Sequence, residues 1–224
     1  MMVCGSTSEI VSHIERALRN ESKLTPEVLA IDGKCGIAIK HLLNNICSSE
    51  ARHLDVGTGS GSSIIAASFI NSGLFYTIDH FIKKPHGDNL KAKFLQNNKV
   101  FNNYISLECD CFKVDFSLIE GGLTSVFYDA DHKEQSVFDF IVAYNHLFAR
   151  QFVLIVDDWN DLRMKCGVQR AFKVMNYKVL FEKEIFTPFL QQKDADTITT
   201  SKTEGCVWWN GVYIALVEKM RLYL

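Results

Sequence analysis

The sequence predicts an α/β fold: a doubly wound, mainly parallel seven-stranded sheet with an antiparallel strand at its C-terminal end and a helical extension at its N-terminus. Three observations carry that expectation. Short β-rich runs alternate with helix-length segments through most of the chain. The first such run enters a glycine turn, His53-Leu-Asp-Val-Gly-Thr-Gly-Ser-Gly-Ser-Ser63, and an apolar helical run follows at once. The strands after it end in carboxylates, on the edge where open α/β sheets bind their ligands.

The elements follow in order. Residues 8–19 place apolar side chains at 10, 11, 14, 17 and 18, a helical stripe. Pro26 opens a second segment, and residues 36–47 form an amphipathic helix that leads to the first strand. Residues 1–50 are therefore expected to be a helical extension, a lid or cap, on a domain spanning 51–224. Strands are expected at 52–56, 74–79, 104–108, 124–129 and 151–157, with helices at 62–71, 87–98, 133–149 and 166–175. Tyr177–Ile185 and Cys206–Lys219 are both strand-like, and no helix-length periodic segment separates them. Such strands pair antiparallel. Trp209-Asn-Gly211 offers a hairpin turn but reads better as a bend within the last strand, and the polar interval 187–205 reads as a mobile or functional loop.

Composition bounds the function. At 224 residues, 47% hydrophobic and 22% charged, the chain has the makings of one well-filled globular core. A net charge of −2 offers no electrostatic footprint for nucleic acid or an anionic membrane. The N-terminus lacks a basic segment followed by an apolar one, and no apolar run is long enough to insert in a membrane. A cytoplasmic enzyme is expected, with homo-oligomerisation left open. The seven cysteines are scattered, and Cys109-x-Cys111 is too close for a zinc knuckle, so reduced thiols are expected.

The glycine turn frees the backbone at Gly57, Gly59 and Gly61, with Asp55 two places before the first. A dinucleotide fingerprint would need glycine where Ser62 stands, and no Lys-Ser/Thr pair closes a phosphate loop. Asp79 ends the second strand 22 residues after Gly57, where a carboxylate can accept from both hydroxyls of a ribose. Asp110, Cys111 and Phe112 follow the third strand and offer a carboxylate and apolar groups to an adenine. Each aspartate could instead cap the next element.

The fourth strand ends in Asp129-Ala-Asp131-His132 and the fifth in Asp157-Asp158-Trp-Asn160. Neighbouring strands lie about 5 Å apart, so these groups can converge. So many carboxylates repel unless a cation or shared protons compensate them. Oxygen ligands suit Mg²⁺, with Mn²⁺ or Ca²⁺ as alternatives. Helix capping by Asp131 and Asp158 is the competing explanation. Zinc is disfavoured, because His132 has no second His or Cys at ligand spacing.

With these residues in view, the chain resembles the class I S-adenosylmethionine-dependent methyltransferases. Within them it is similar to the small-molecule branch called methyltransferase family 24, which includes metal-dependent sugar O-methyltransferases. The resemblance covers roughly residues 30–220 and rests on Asp55–Gly61, Tyr128–His132, Val156–Trp159 and Trp208–Gly211. It implies a Rossmann-like sheet and S-adenosyl-L-methionine as cofactor. Asp55, Gly57, Thr58, Gly59, Gly61 and Ser62 would hold the methionine part, and Asp79 with His80 the ribose. Asp110, Cys111 and Phe112 would contact adenine, with Asp129 closing the cofactor site. The implied metal ligands are Asp129, Asp157 and Asp158. Asp131 is the implied base, with His132 as the alternative base or as the group that orients Asp131. Ala130 stands where glycine is usual, and Asp55 replaces a common glutamate.

The expected activity is metal-assisted O-methylation of a small-molecule acceptor such as a sugar, a glycan precursor or a vicinal diol. Metal-independent N- or O-methylation of another small molecule is one alternative, and a non-catalytic nucleotide-binding protein another. Asp129-Ala-Asp-His replaces the Asn/Asp-Pro-Pro-aromatic tetrapeptide of nucleic-acid amino methylation and argues against that substrate.

Overall fold

The computed structural model describes residues 5–47, 50–82, 89–187 and 207–220. Three helices, α1 (Thr7–Leu18), α2 (Pro26–Leu29) and α3 (Ile37–Ile46), precede β1 (Ala51–Val56). There follow α4 (Ser62–Ser68), β2 (Gly73–Ile78), α5 (Leu90–Asn98), β3 (Ile105–Leu107) and β4 (Leu123–Tyr128). The chain continues through α6 (Glu134–Tyr144), β5 (Phe148–Asp157), α7 (Leu162–Val174), β6 (Tyr177–Ile185) and β7 (Val212–Lys219). The seven strands form one sheet in the order β3-β2-β1-β4-β5-β7-β6. β1 to β5 run parallel, whereas β7 pairs antiparallel with both β5 and β6.

Strand periodicity assigns the two faces. Leu54, Val56, Val126, Tyr128, Leu154 and Val156 point to one side, against Phe140 and Tyr144 of α6 and Val168 of α7. Phe127, Val153, Ile155 and Ile214 point to the other, against Ile39, Leu42 and Leu43 of α3 and Ile64 and Ile65 of α4. Strands apolar on both faces need helices on both faces, as a parallel sheet requires. Each fully buried Leu, Ile or Phe contributes about 1.5–3 kcal/mol of transfer free energy, so both layers are firmly held. α1 opens with a capping box, in which Ser6 accepts from the Glu9 N–H while Glu9 accepts from the Ser6 N–H. Its stripe of Ile10, Ile14 and Ala17 is buried in the α3 layer.

Several boundaries differ from expectation, each for a local reason. α4 stops at Ser68, because Phe69 turns extended and Ile70 is left-handed. α6 ends at Tyr144 and β5 starts at Phe148, where Phe148 pairs with Leu123 ahead of a bulge in the β4–β5 ladder. α7 begins at Leu162 because Asp161 caps it, accepting from the Arg163 N–H at 2.9 Å. The expected bend at 209–211 lies outside β7. Left-handed backbone at Trp209 (φ 52°) and Gly211 (φ 85°) forms a turn there, and the strand starts at Val212. The expected 187–205 loop lies outside the described residues except for Thr187. Among the described residues no helix is long and apolar enough to cross a membrane.

Candidate functional site

The sheet order reverses between β1 and β4, since β2 and β3 build outward on one side and β5 on the other. A crevice forms where the loops after β1 and β4 part, and an open cleft of about 1000 Å³ lies there. Gly57 turns with φ +97°, and a β-carbon on it would overlap the backbone carbonyl of Asp129. Gly61, at φ +90°, caps α4 in the left-handed region. Gly57, Thr58, Gly59 and Ser62 line the cleft.

Asp55 does not line it. Fully buried beneath the turn, its Oδ1 accepts from the Thr77 hydroxyl at 3.2 Å, and Thr77 in turn contacts the Thr58 hydroxyl. Burial pushes the Asp55 carboxyl up to about 7. The chain Asp55–Thr77–Thr58 therefore braces the turn from below.

Asp79 sits at the rim with both oxygens engaged. Oδ2 accepts from the Gly59 N–H at 2.9 Å and Oδ1 from the Phe81 N–H at 2.7 Å. These bonds fix the carboxylate, which lines the cleft. His80 is half-exposed beside it. On the β3 side, Asp110 accepts from the Phe112 N–H at 2.9 Å, and Phe112 presents a 46% exposed ring. Burial pushes the Cys111 thiol up to about 12, so it stays neutral and apolar in the wall.

The second cluster lies at the ends of β4 and β5. His132 Nε2 stands 2.7 Å from Asp158 Oδ2 and 3.8 Å from Asp129 Oδ1. One donor atom from each of Asp129, His132 and Asp158 falls within 4.8 Å of the others. Asp129 and then Asp158 hold the imidazole protonated well above its ordinary range, while burial raises Asp129. Asp158 has a left-handed backbone (φ 55°) and is oriented by Asn210, whose Nδ2 donates to Oδ1 at 2.8 Å.

Asp157 is absent from this trio. It is 1% exposed; its Oδ1 accepts from the Asp158 N–H at 2.9 Å, and its Oδ2 has no hydrogen-bond partner. Asp131 lines the cleft, with Oδ2 accepting from Lys133 at 2.9 Å and from Ser136 at 2.8 Å. Burial raises this carboxyl, but the two donors together hold it below the ordinary range. Trp159 stacks on Tyr213 at 4.3 Å inside the core, and Asn160 fastens Thr187 and Asn210 to the β5 end.

Of the other wall residues, only Trp209 and Asn210 carried a sequence signal, as part of the Trp208–Gly211 segment. Asp32, Gly33, Lys34 and Cys35, between α2 and α3, close one side of the cleft, and Asp32 pairs with Lys93 of α5 at 2.8 Å. Phe81, Trp209 and Asn210 also reach it. Packing of α2–α3 and β7 against the sheet brings the Asp32–Cys35 and Trp209–Asn210 residues there, whereas Phe81 follows β2 and is held by Asp79.

No family model matches the chain, and no curated protein matches it in sequence. Solved structures do match in fold. Cofactor-bound Rv0187 from MTB superposes with a TM-score of 0.52 at 18% identity, covering 98% of this chain and 94% of that one. Precorrin-6y C5,15-methyltransferase from Geobacter metallireducens GS-15 gives 0.51 at 17% identity, covering 77% and 82%. TrmN from Thermus thermophilus gives 0.56 at 13% identity over 87% of this chain, which spans about half (52%) of TrmN. The sheet order and these likenesses match a Rossmann-like methyltransferase fold.

The residues present fit both groups that the resemblance implies. The glycine turn leaves backbone room beside a rim carboxylate and an exposed aromatic ring, which suits a nucleoside with a charged tail. Two carboxylates and an imidazole within 4.8 Å suit a divalent ion.

Proposed function

We propose that the protein is an S-adenosylmethionine-dependent methyltransferase that methylates a hydroxyl of a small molecule, with a divalent ion assisting. A sugar, a glycan precursor or another vicinal diol is the acceptor class. The observation that carries this reading is that the braced glycine turn with Asp79 and the Asp129–His132–Asp158 trio open into the same cleft. The chain's net charge of −2 supports a small acceptor over a nucleic acid.

The cofactor supplies a methyl carbon on a sulfonium, and a divalent ion such as Mg²⁺ supplies Lewis acidity that lowers the pKa of the acceptor hydroxyl. The protein's work is positioning and proton removal. The turn at 57–61 receives the methionine part, Asp79 the ribose and Phe112 a face of the adenine. Asp129 and Asp158 would hold the ion. Asp131 takes the hydroxyl proton on Oδ1, since its hydrogen bonds fall on Oδ2. Its depressed pKa makes it a weak base, adequate only for an acidified hydroxyl.

A second reading, metal-independent transfer, is favoured by the 2.7 Å His132–Asp158 pair, which neutralises one carboxylate by itself. Thermal-shift measurements with S-adenosylmethionine, S-adenosylhomocysteine and NAD, each with and without Mg²⁺ or Mn²⁺, test both. Stabilisation by NAD alone would sink the methyltransferase reading. Turnover unaffected by chelation would leave the metal-independent one.

A further inference from the structure

The ligand set expected from the sequence was all oxygen: Asp129, Asp157 and Asp158. The geometry assembles a different one. Only one carboxylate of the adjacent Asp157–Asp158 pair joins the cluster, and His132 brings a ring nitrogen in its stead. This nitrogen stands between the other two donors, 2.7 Å from Asp158 and 3.8 Å from Asp129. Asn210 binds Asp158 Oδ1, which leaves Oδ2 directed at the imidazole, the orientation an outer partner gives a metal ligand.

A second observation is independent of the trio. Asp157, the last residue of β5 and 1% exposed, holds an oxygen with no hydrogen-bond partner beside Asp158 in the chain. The imidazole ring is 44% exposed toward the cleft, leaving room on that side for further ligands. Three protein ligands with open positions is the pattern of a working rather than a purely structural metal site.

We propose that His132 is a metal ligand, and that the site consequently selects nitrogen-accepting first-row ions such as Mn²⁺, Co²⁺ and Zn²⁺ over Mg²⁺ and Ca²⁺. Imidazole suits the first group, whereas the second requires oxygen. This rests on the metal-assisted reading above and narrows the identity of its ion.

Calorimetric titration of the full chain with Co²⁺, Mn²⁺ and Mg²⁺, together with the visible absorption of the Co²⁺ form, tests the assignment without any acceptor. Co²⁺ and Mn²⁺ are expected to bind at least about tenfold more tightly than Mg²⁺. His132→Ala should abolish that preference and change the Co²⁺ spectrum, while Mg²⁺ binding moves far less. His132→Asn serves if the alanine variant fails to fold, with S-adenosylhomocysteine stabilisation as the check of folding. Equal affinity for Mg²⁺ and Mn²⁺, a preference that survives in the variants, or no saturable Co²⁺ binding would each overturn the proposal. Stabilisation by S-adenosylhomocysteine without metal would leave methyl transfer standing even then.

Discussion

The backbone of Gly57 packs against the carbonyl of Asp129 so closely that no β-carbon fits between them. The contact joins the two halves of the cleft, because Gly57 opens the glycine turn and Asp129 belongs to the trio. It also lies at the point where the sheet order reverses. The Asp129 N–H donates to Val56 O at 2.8 Å, so the two strand ends are tied as well as pressed together.

Gly57→Ala meets both a forbidden φ of +97° and a backbone overlap. It is expected to cost about 3 kcal/mol or more in a urea unfolding curve, and to abolish S-adenosylhomocysteine binding in whatever fraction folds. A variant as stable as the wild type would contradict the packing described.

Asp79→Asn keeps the shape but removes the charge that receives the Gly59 and Phe81 N–H groups. Hydrogen bonds to a charged group contribute about 1.5–3 kcal/mol, so cofactor affinity should fall roughly 10- to 100-fold by calorimetry. An unchanged dissociation constant would remove Asp79 from the binding site.

Asp55 sets a pH dependence. Its folded pKa, near 7, lies above its ordinary value of 3.8, so the folded chain keeps a proton that the unfolded chain releases. This contribution is full below about 4 and is lost as pH rises toward 7. His53, which burial pushes down to about 3, works the other way: its contribution is full above about 6.5 and is lost on acidification. The two overlap, so the difference between Asp55→Asn and wild type isolates Asp55. That difference should shift in favour of the variant between pH 4 and 7 in guanidinium midpoints. A flat difference curve would refute the assignment.

Asn210→Ala frees Asp158 Oδ1 without replacing a proposed ligand. Loss of such an outer partner typically lowers metal affinity about 10- to 100-fold. Cofactor affinity in the absence of metal should stay the same. If both fall together, Asn210 supports the whole cleft instead of orienting one carboxylate.

Much of the molecule was legible in the chain. The alternation of β-rich and helical segments located β1 to β5, and two strand-like runs with no helix between them located β6 and β7, because period-2 and period-3.6 burial leave different marks on a sequence. The glycine turn was legible because few backbones tolerate such a run of positive φ. Helix ends at Ser68 and Tyr144 were read too long, since apolar residues continue past the point where the backbone leaves the helix.

What the chain could not determine alone was which neighbours meet. Asp157 and Asp158 look equivalent in sequence, yet consecutive residues at a strand end point in different directions, so only Asp158 joins Asp129. His132 has no second His or Cys at ligand spacing in the sequence, and acquires Asp158 as a partner beside Asp129 because β4 lies next to β5. The wall at Asp32–Cys35 depends likewise on α2 and α3 packing against the sheet. Local physics set the elements and the turn; strand adjacency and side-chain direction decided the contents of the site.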